Sequence, residues 1–573
     1  MDRERHRGRG DLGVDGRGRN VRGRLPTIAF LAALVVALIV FEWYGRRFWF
    51  VGDEWNFLVR NRLVADDPGA FVRTLLRPHN EHWSVLPRLW YWLADSIWGL
   101  RTYTPYLTAI ILLHLGVATL LWRLILRLGV HPWIAAGTGA VMALLGPGAE
   151  NIFWGFQVGF VGSAFFGLAA LLLADHDGSD RRRDGLALLC GLASLLCSGI
   201  GIPFVVGLGI AIWFRRGLRP AVAIVLPLAV MFAMWYVAFG RANEANAVPR
   251  AGPSQWLPYI FAQGTNAIEQ ISQIPMVGGG VIAILIVFVG VRIRHDFRAH
   301  EFLAPMYGLL GSALVMSITT AIGRSSLGAD QARSSRYVYL LAVMLIPVLA
   351  VMLDALLRRD RRAITPVAVF LAIAVVGCFT AIPRFAFAQG QQVAQQKLLI
   401  LAAASDPLMQ RFAPEGSIPA PALSPDVSVA ALRERWIEGD LPQWTADDVS
   451  RDAVRLSALI GLNPATSFGP IDPARITGKG FEQTTVTGGC VRLSATEPHV
   501  EARVAVTPDS GVVISTASGD IEIASLTFAA DRRHPVPVVV PGGQSTAVSV
   551  AAPAELAMVL ARIGAAVTIC GES

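Results

Sequence analysis

Charge is what this sequence has least of. Only 16% of its 573 residues are Asp, Glu, Lys or Arg, whereas 53% are hydrophobic and the mean hydropathy is +0.49. Soluble domains carry roughly a quarter charged residues, so an entirely soluble chain is excluded. Cysteine is scarce, at 5 residues, and lysine is scarce beside arginine, a bias that points to a GC-rich bacterial source. Several motifs are missing altogether. Without a Gly-x-x-x-x-Gly-Lys loop, ATP-driven transport has no support, and there is neither a His-Glu-x-x-His zinc motif nor a Gly-x-Ser-x-Gly nucleophile elbow. Acids and bases inside the apolar runs are few, which leaves an ion-coupled transporter without its mid-membrane relay. His114 is the exception, and a hydrogen-bonded core histidine is its expected role.

What is present is a series of apolar runs. The first, at 28–40, continues into Phe41, Trp43 and Tyr44 with no small-residue cleavage site, so it reads as a retained span and not a signal peptide. Others lie near 105–126, 132–147, 155–174, 185–198, 202–214, 220–240, 276–291, 302–322, 337–357 and 364–383. The stretch 185–214, broken at Ser198-Gly199-Ile200-Gly201-Ile202-Pro203, reads as one hairpin or one broken helix. The net charge of +8 sits mostly in short basic clusters between runs, a positive-inside pattern and not a nucleic-acid footprint. Arg123, Arg127, Arg181 to Arg183, Arg215-Arg216, Arg292, Arg294, Arg298 and Arg358 to Arg362 share one side if there are about eleven spans. The N-terminus is then cytoplasmic and everything after about Pro383 extracytoplasmic. The Arg- and Gly-rich residues 1–25 are expected to be a disordered tail.

Four domains follow from this reading: the tail, a transmembrane domain at 26–383 with a large first outer loop at 44–104, a helical or irregular linker at 384–464, and a β-rich extracytoplasmic domain at 465–573. Within the loop, Trp83, Leu86, Leu89, Trp90, Leu93, Ile97 and Leu100 recur at helical spacing, as in a helix lying in the membrane interface. The alternative is the start of a long second span. Beyond 465, short alternating runs at 484–487, 502–507, 512–516, 521–528 and 536–540, punctuated by Gly, Pro, Asp and Ser, predict a small β-sandwich. Cys490 and Cys570 lie near its ends, where a disulfide would act as an edge-to-edge staple if the domain is extracytoplasmic. Cys190, Cys197 and Cys378 fall in apolar runs and read as buried thiols. Shorter outer loops lie at 148–154, 241–275 and 323–336, and Arg241, Glu244 and Arg250 in the second of these read as solvated charge.

Asp53-Glu54, just past the first span, is the stretch most expected to carry chemistry. Glycosyl transfer needs a carboxylate to take the acceptor's proton and cationic help for a phosphate leaving group. The bland reading is two acids solvating the end of a span. In Arg77-Pro78-His79-Asn80-Glu81-His82, the residues His79, Glu81 and His82 are candidates for contacting sugar hydroxyls. His-x-x-His lacks the spacing of a helical metal pair, and the loop has no Asp-x-Asp, so no metal site is assigned and a divalent ion is not favoured. Glu150 and Gln157, in the second outer loop, are further substrate-binding candidates. Arg324, Arg333 and Arg336 stand on the outer side against the positive-inside tendency. Guanidinium groups grip phosphate oxygens in bidentate fashion, so these three are the candidate donor-phosphate ligands, with lipid headgroup contacts as the alternative.

This pattern of spans, acidic first loop and outer C-terminal domain resembles the GT-C superfamily of integral-membrane glycosyltransferases. Asp53-Glu54 is similar to the Asp-Glu motif of protein O-mannosyltransferases and, in placement, to the loop acid of lipid A aminoarabinose transferases. The resemblance covers roughly 26–383 as architecture and implies a polyprenyl-phosphate sugar donor, inversion at the anomeric carbon and Asp53 as base, with Glu54 its polar partner. The expected fold is therefore a polytopic α-helical, GT-C-like membrane protein with a C-terminal α/β region ending in the sandwich. The expected function is transfer of a sugar to a glycan, lipid or protein acceptor of the cell envelope, at the outer face of a bacterial plasma membrane, without a cofactor. A lipid-linked-sugar flippase or non-enzymatic assembly protein is the alternative, and a ligase using a glycan diphosphate donor is a third reading. Membrane lipid is an expected partner and nucleic acid is not.

Overall fold

The computed structural model describes residues 16–63, 67–242, 252–296, 301–406, 415–416, 418–419, 424, 426–443, 460–465, 467–507, 510–516, 521–525, 538–540, 542–543, 545–550, 553–560 and 562–571. Residues 1–15 of the basic tail, Glu244, Arg250 and Arg298 lie outside the described residues. The helices are α1 (Gly16–Gly45), α2 (Glu54–Leu63), α3 (Pro68–Leu76), α4 (Val85–Trp98), α5 (Thr104–Arg127), α6 (Pro132–Ala143), α7 (Glu150–Phe153), α8 (Val158–Ala174) and α9 (Arg181–Cys197). They continue with α10 (Gly201–Arg216), α11 (Leu218–Ala238), α12 (Pro253–Ser272), α13 (Gly278–Asp296), α14 (Ala304–Arg324), α15 (Ser335–Arg359), α16 (Ile364–Ser405) and α17 (Val429–Ile437).

Seven helical stretches are long and apolar enough to cross a membrane: Arg24–Gly45, Thr104–Arg127, Gly155–Ala174, Leu218–Ala238, Glu301–Leu327, Ser335–Arg359 and Arg361–Ser405. The chain is a multi-pass membrane protein. Seven stretches among the described residues meet this measure, against about eleven expected. The difference lies partly in length, since α6, α9 and α10 have only 12, 17 and 16 residues, short of the roughly 20 a perpendicular span requires. The 185–214 stretch resolves into two helices joined by a tight turn. Gly201 there lies so close to Ser194 that a Cβ would stand 2.6 Å from its carbonyl oxygen. Two boundaries also shift: α1 begins at Gly16, inside the tail expected to be disordered, and α16 runs through Pro383 without ending there.

The residues fold as two compact units. The first takes the chain up to Arg46, Leu75–Pro87 and Leu107–Phe387; the second takes Arg47–Thr74, Arg88–Tyr106 and the chain from Ala388 onward. In the first unit, helices approach through small residues, as packing in an apolar medium favours. A Cβ on Gly207 of α10 would stand 2.5 Å from the Gly308 carbonyl oxygen of α14. Ser163 of α8 and Ser194 of α9 exchange hydroxyl-to-carbonyl hydrogen bonds of 2.8 Å.

In the second unit the first loop folds with the segment around α17. α4 is a helix of its own, separate from α5, with Arg88, Tyr91 and Ala94 buried on one side and Trp92, Leu93 and Ile97 exposed on the other. The C-terminal part holds two antiparallel sheets. The strands are β1 (Ile460–Pro464), β2 (Ile476–Gly478), β3 (Phe481–Val486), β4 (Cys490–Ala495), β5 (Val500–Val506), β6 (Val512–Ser515), β7 (Ile521–Ser525), β8 (Val538–Val540), β9 (Ser545–Val550), β10 (Ala554–Leu560) and β11 (Ala566–Gly571). One sheet has the order β1-β9-β6-β11-β4-β3 and the other β2-β5-β10-β7-β8. Burial alternates strictly along β5, the mark of a strand with one face on a core. Cys490 and Cys570 are disulfide-bonded. They sit on β4 and β11, which pair directly inside one sheet, with Ile569 opposite Val491. The bond is thus a cross-strand link and not an edge-to-edge staple.

Candidate functional site

The Asp53-Glu54 turn is built by its own backbone. Gly52 takes a left-handed φ of 60°, which only glycine adopts without cost. The carbonyls of Val51 and Gly52 then accept from the amides of Glu54 (3.4 Å) and Trp55 (3.2 Å), starting α2. Glu54, in the first turn of that helix, reaches back so that its Oε2 accepts from the Val51 amide at 2.9 Å. Its other oxygen accepts from the hydroxyls of Tyr91 (2.5 Å) and Tyr103 (3.1 Å). Glu54 is 0% exposed and Asp53 half-buried. The two adjacent acids therefore do different things. Glu54 pins the turn from inside, and Asp53 is the one that meets the outside.

Burial pushes the Glu54 carboxyl up to about 8, against the pull of its bonds to Tyr91, Val51 and Tyr103, and the neighbouring Asp53 raises it further. Glu54 thus keeps its proton at neutral pH. An aromatic shell surrounds this end of the unit: Phe50 meets the rings of Tyr103 and Tyr106 edge-on at 5.0 and 4.8 Å, and Trp49 meets Trp55 at 5.6 Å.

The segment around α17 braces α2. Asn56 donates to Asp426 at 3.2 Å. Arg435, 7% exposed, grips both oxygens of Asp95 at 2.9 and 2.7 Å, reaches Asp440 at 2.5 Å and touches the Leu58 carbonyl at 3.5 Å. None of Tyr91, Tyr103, Asn56, Asp95 or Arg435 was a candidate from sequence. The available signal was the buried side of α4, where Arg88 and Tyr91 recur at i, i+3 opposite the exposed aromatics.

In the first unit, the His79-to-His82 segment is a tight turn closed by paired backbone bonds of 3.0 and 2.9 Å, with Asn80 at a φ of 49°. His79 is buried against Phe156, and His82 Nδ1 accepts from the Gly199 amide at 3.3 Å while its ring meets Phe160 edge-on. Glu81 points outward and pairs with Arg324 at 2.5 Å, with His82 Nε2 at 3.9 Å. Burial works to raise its carboxyl, but His82 and Arg324 overrule it and hold it below the usual carboxylate range.

A second pairing joins Glu150 and Arg336. The Glu150 carboxylate accepts from the Arg336 amide (3.2 Å) and Ser334 hydroxyl (3.4 Å) at the start of α15, and meets Arg336 Nε at 3.3 Å. Negative charge is favoured at such a helix start. Asn151 adds a bond to the Arg336 carbonyl at 2.9 Å. Arg333 is different. It is exposed, only its carbonyl is engaged, by Asn266 at 3.4 Å, and among the described residues no carboxylate pairs with its guanidinium. Gln157 is 1% exposed in the turn after Trp154.

The structure thus brings Glu81, His82 and Arg324 together, and Glu150 with Arg336. His79 and Gln157 it places inside. Among the described residues, no group of three or more His, Cys, Asp or Glu is arranged to hold a metal ion.

No family model matches the chain, and no curated protein matches it. Among solved structures it is similar to the crystal structure of the Archaeoglobus fulgidus oligosaccharyltransferase in complex with Zn and sulfate, at 13% identity and a TM-score of 0.38. The match covers 66% of this chain and 56% of that one. At that score the likeness is loose, and the chemistry has to be read from this chain's own residues.

Proposed function

We propose that the protein is an inverting membrane glycosyltransferase that takes a sugar from a polyprenyl-phosphate donor. The observation that carries this reading is the Asp53-Glu54 turn: a half-buried carboxylate held on a glycine turn by a buried, protonated neighbour. In the proposed step, the acceptor oxygen attacks the anomeric carbon from the face opposite the phosphate. The C–O bond to phosphate breaks with its electron pair leaving on the phosphate, and Asp53 takes the acceptor's proton. Glu54 is a positioning residue. Arg333 is the foremost donor-phosphate ligand, because Arg324 and Arg336 already answer to Glu81 and Glu150. Glu81 and His82 are offered as contacts to sugar hydroxyls. The acceptor is a glycan, lipid or protein of the cell envelope, the N-terminus is cytoplasmic, the C-terminal part is extracytoplasmic, and the step uses no metal.

The test is transfer of radiolabelled sugar from polyprenyl-phosphate donors in membranes. Asp53→Asn is expected to lower turnover by about 10²–10⁴-fold, the usual worth of a general base, with donor binding retained, and a chelator is expected to change nothing. Normal transfer by the Asn variant sinks the base assignment.

A further inference from the structure

A large cavity lies in the first unit, far along α15 from Arg336. It is a groove of about 1220 Å³ between α1, α6, α15 and α16, larger than the roughly 300–1,000 Å³ of small-molecule sites. Small residues make the room: Ala29 on α1, Ala136 and Ala140 on α6, and Ala368 and Ala372 on α16 all line it. α6 and α16 close on each other at Gly137, where a Cβ would stand 2.9 Å from Leu371. Lining residues on α16 and the turn before it run from Arg361 to Val376, a helical rise of about 22 Å. Half of a bilayer's hydrocarbon core is about 15 Å, so the groove is deep enough for acyl chains.

Its mouth is polar and positive. Asp354 accepts from the His131 amide at 2.9 Å and pairs with Arg358 at 2.5 Å; Arg358 also donates to the Gly129 carbonyl at 2.7 Å. Those bonds engage Asp354, the one carboxylate among the described residues that line the groove, and orient Arg358. Arg361, beside them, is exposed, and among the described residues no acid pairs with it. An apolar groove with a surplus guanidinium at its mouth is complementary to a lipid phosphate: basic pockets between membrane helices hold anionic headgroups, and arginine binds phosphate through paired donors. From Arg336 to Arg358, α15 rises about 33 Å, so the mouth lies a full membrane thickness from the Glu150–Arg336 pair. We propose that this groove is a binding site for an anionic diacyl phospholipid, with Arg361 and Arg358 on the phosphate and the acyl chains between α6 and α16.

Native mass spectrometry and thermal shift of the delipidated full chain, titrated with phosphatidylglycerol, phosphatidylcholine, a polyprenyl phosphate or inorganic phosphate, test this. Phosphatidylglycerol is expected to bind and raise the melting temperature, with phosphatidylcholine at least about tenfold weaker. Arg361→Gln, which removes one charge-assisted contact, is expected to weaken phosphatidylglycerol about tenfold. Ala368→Phe, at an exposed groove position, is expected to weaken it with Arg361 intact, and unchanged circular dichroism shows that both variants fold. Equal binding of the two lipids with no effect of Arg361→Gln would mean annular lipid and overturn the proposal. Equal stabilisation by inorganic phosphate, or tighter binding of the polyprenyl phosphate, would overturn it too.

Discussion

Glu54 and Glu81 are the same residue in the same stretch between α1 and α5, and the structure makes opposites of them. Glu54 has aromatic walls and hydroxyl donors, and burial pushes its carboxyl up to about 8. Glu81 is half-exposed beside Arg324 and His82, which hold it below the usual range. What separates the two is the kind of neighbour. At Glu54 burial outweighs the hydroxyl and amide donors that favour the carboxylate, whereas at Glu81 the charges of His82 and Arg324 outweigh burial. Glu54 therefore serves as a hydrogen-bonding strut, and Glu81 as one half of an ion pair.

The hardest way to break the Glu54 side is to unbrace α2. Arg435→Ala leaves Asp95 and Asp440 without their buried cation, which costs about 3–5 kcal/mol in such pairs; a drop in the melting temperature of the full chain, with loss of transfer, is the expected result. An Arg435→Ala protein that melts like wild type would show that the brace is ornamental. Glu54→Ala comes next, since it takes away the acceptor of the buried Tyr91 hydroxyl, at about 1–3 kcal/mol for a buried group left unsatisfied.

Glu54→Gln sharpens the contrast. In the wild type a carboxyl whose folded value is raised contributes stability that is full below the unfolded value near 4.5 and is lost as pH rises through about 8. Gln cannot ionise, so the variant is expected to lose that slope in a melting series between pH 5 and 9. Identical slopes would mean that Glu54 is not the titrating group. Glu81→Gln is the mirror case and the smallest effect. Its carboxyl is held low, so its contribution is present above the unfolded value and lost as acid takes pH down through the folded one. For a pair 30% and 47% exposed, about 0–1 kcal/mol is expected, seen in chemical denaturation near neutral pH and vanishing below it.

How much of this was legible in the sequence depends on the range of the interaction involved. Apolar runs and basic clusters mark most of the long helices, because each is a local property of consecutive residues. The α4 helix was legible from its spacing, though Trp83 and Leu100 turn out buried and the exposed face is Trp92, Leu93 and Ile97. Strands such as β3, β5, β6 and β7 announced themselves by alternation. β10, reading Ala-Glu-Leu-Ala-Met-Val-Leu, did not: its residues favour helix, and pairing with β5 and β7 decides the matter. The acids at 53–54 were visible, but their division of labour was not, since it depends on Tyr91 and Tyr103 arriving from 37 and 49 residues away. Arg435 is further still, 340 residues from Asp95.

The cross-strand bond between Cys490 and Cys570 makes the β region a reporter of sidedness. It closes a separation of 80 residues, and a loop of that size restrains the unfolded chain by about 4–5 kcal/mol in the chain-entropy model. In a reducing cytoplasm that contribution is withheld and two thiols are exposed to alkylation whenever the strands open; on the oxidising side they are sealed. Mass tagging of Cys490 and Cys570 in intact cells, before and after a reductant, therefore reads out which face of the membrane this half of the protein occupies.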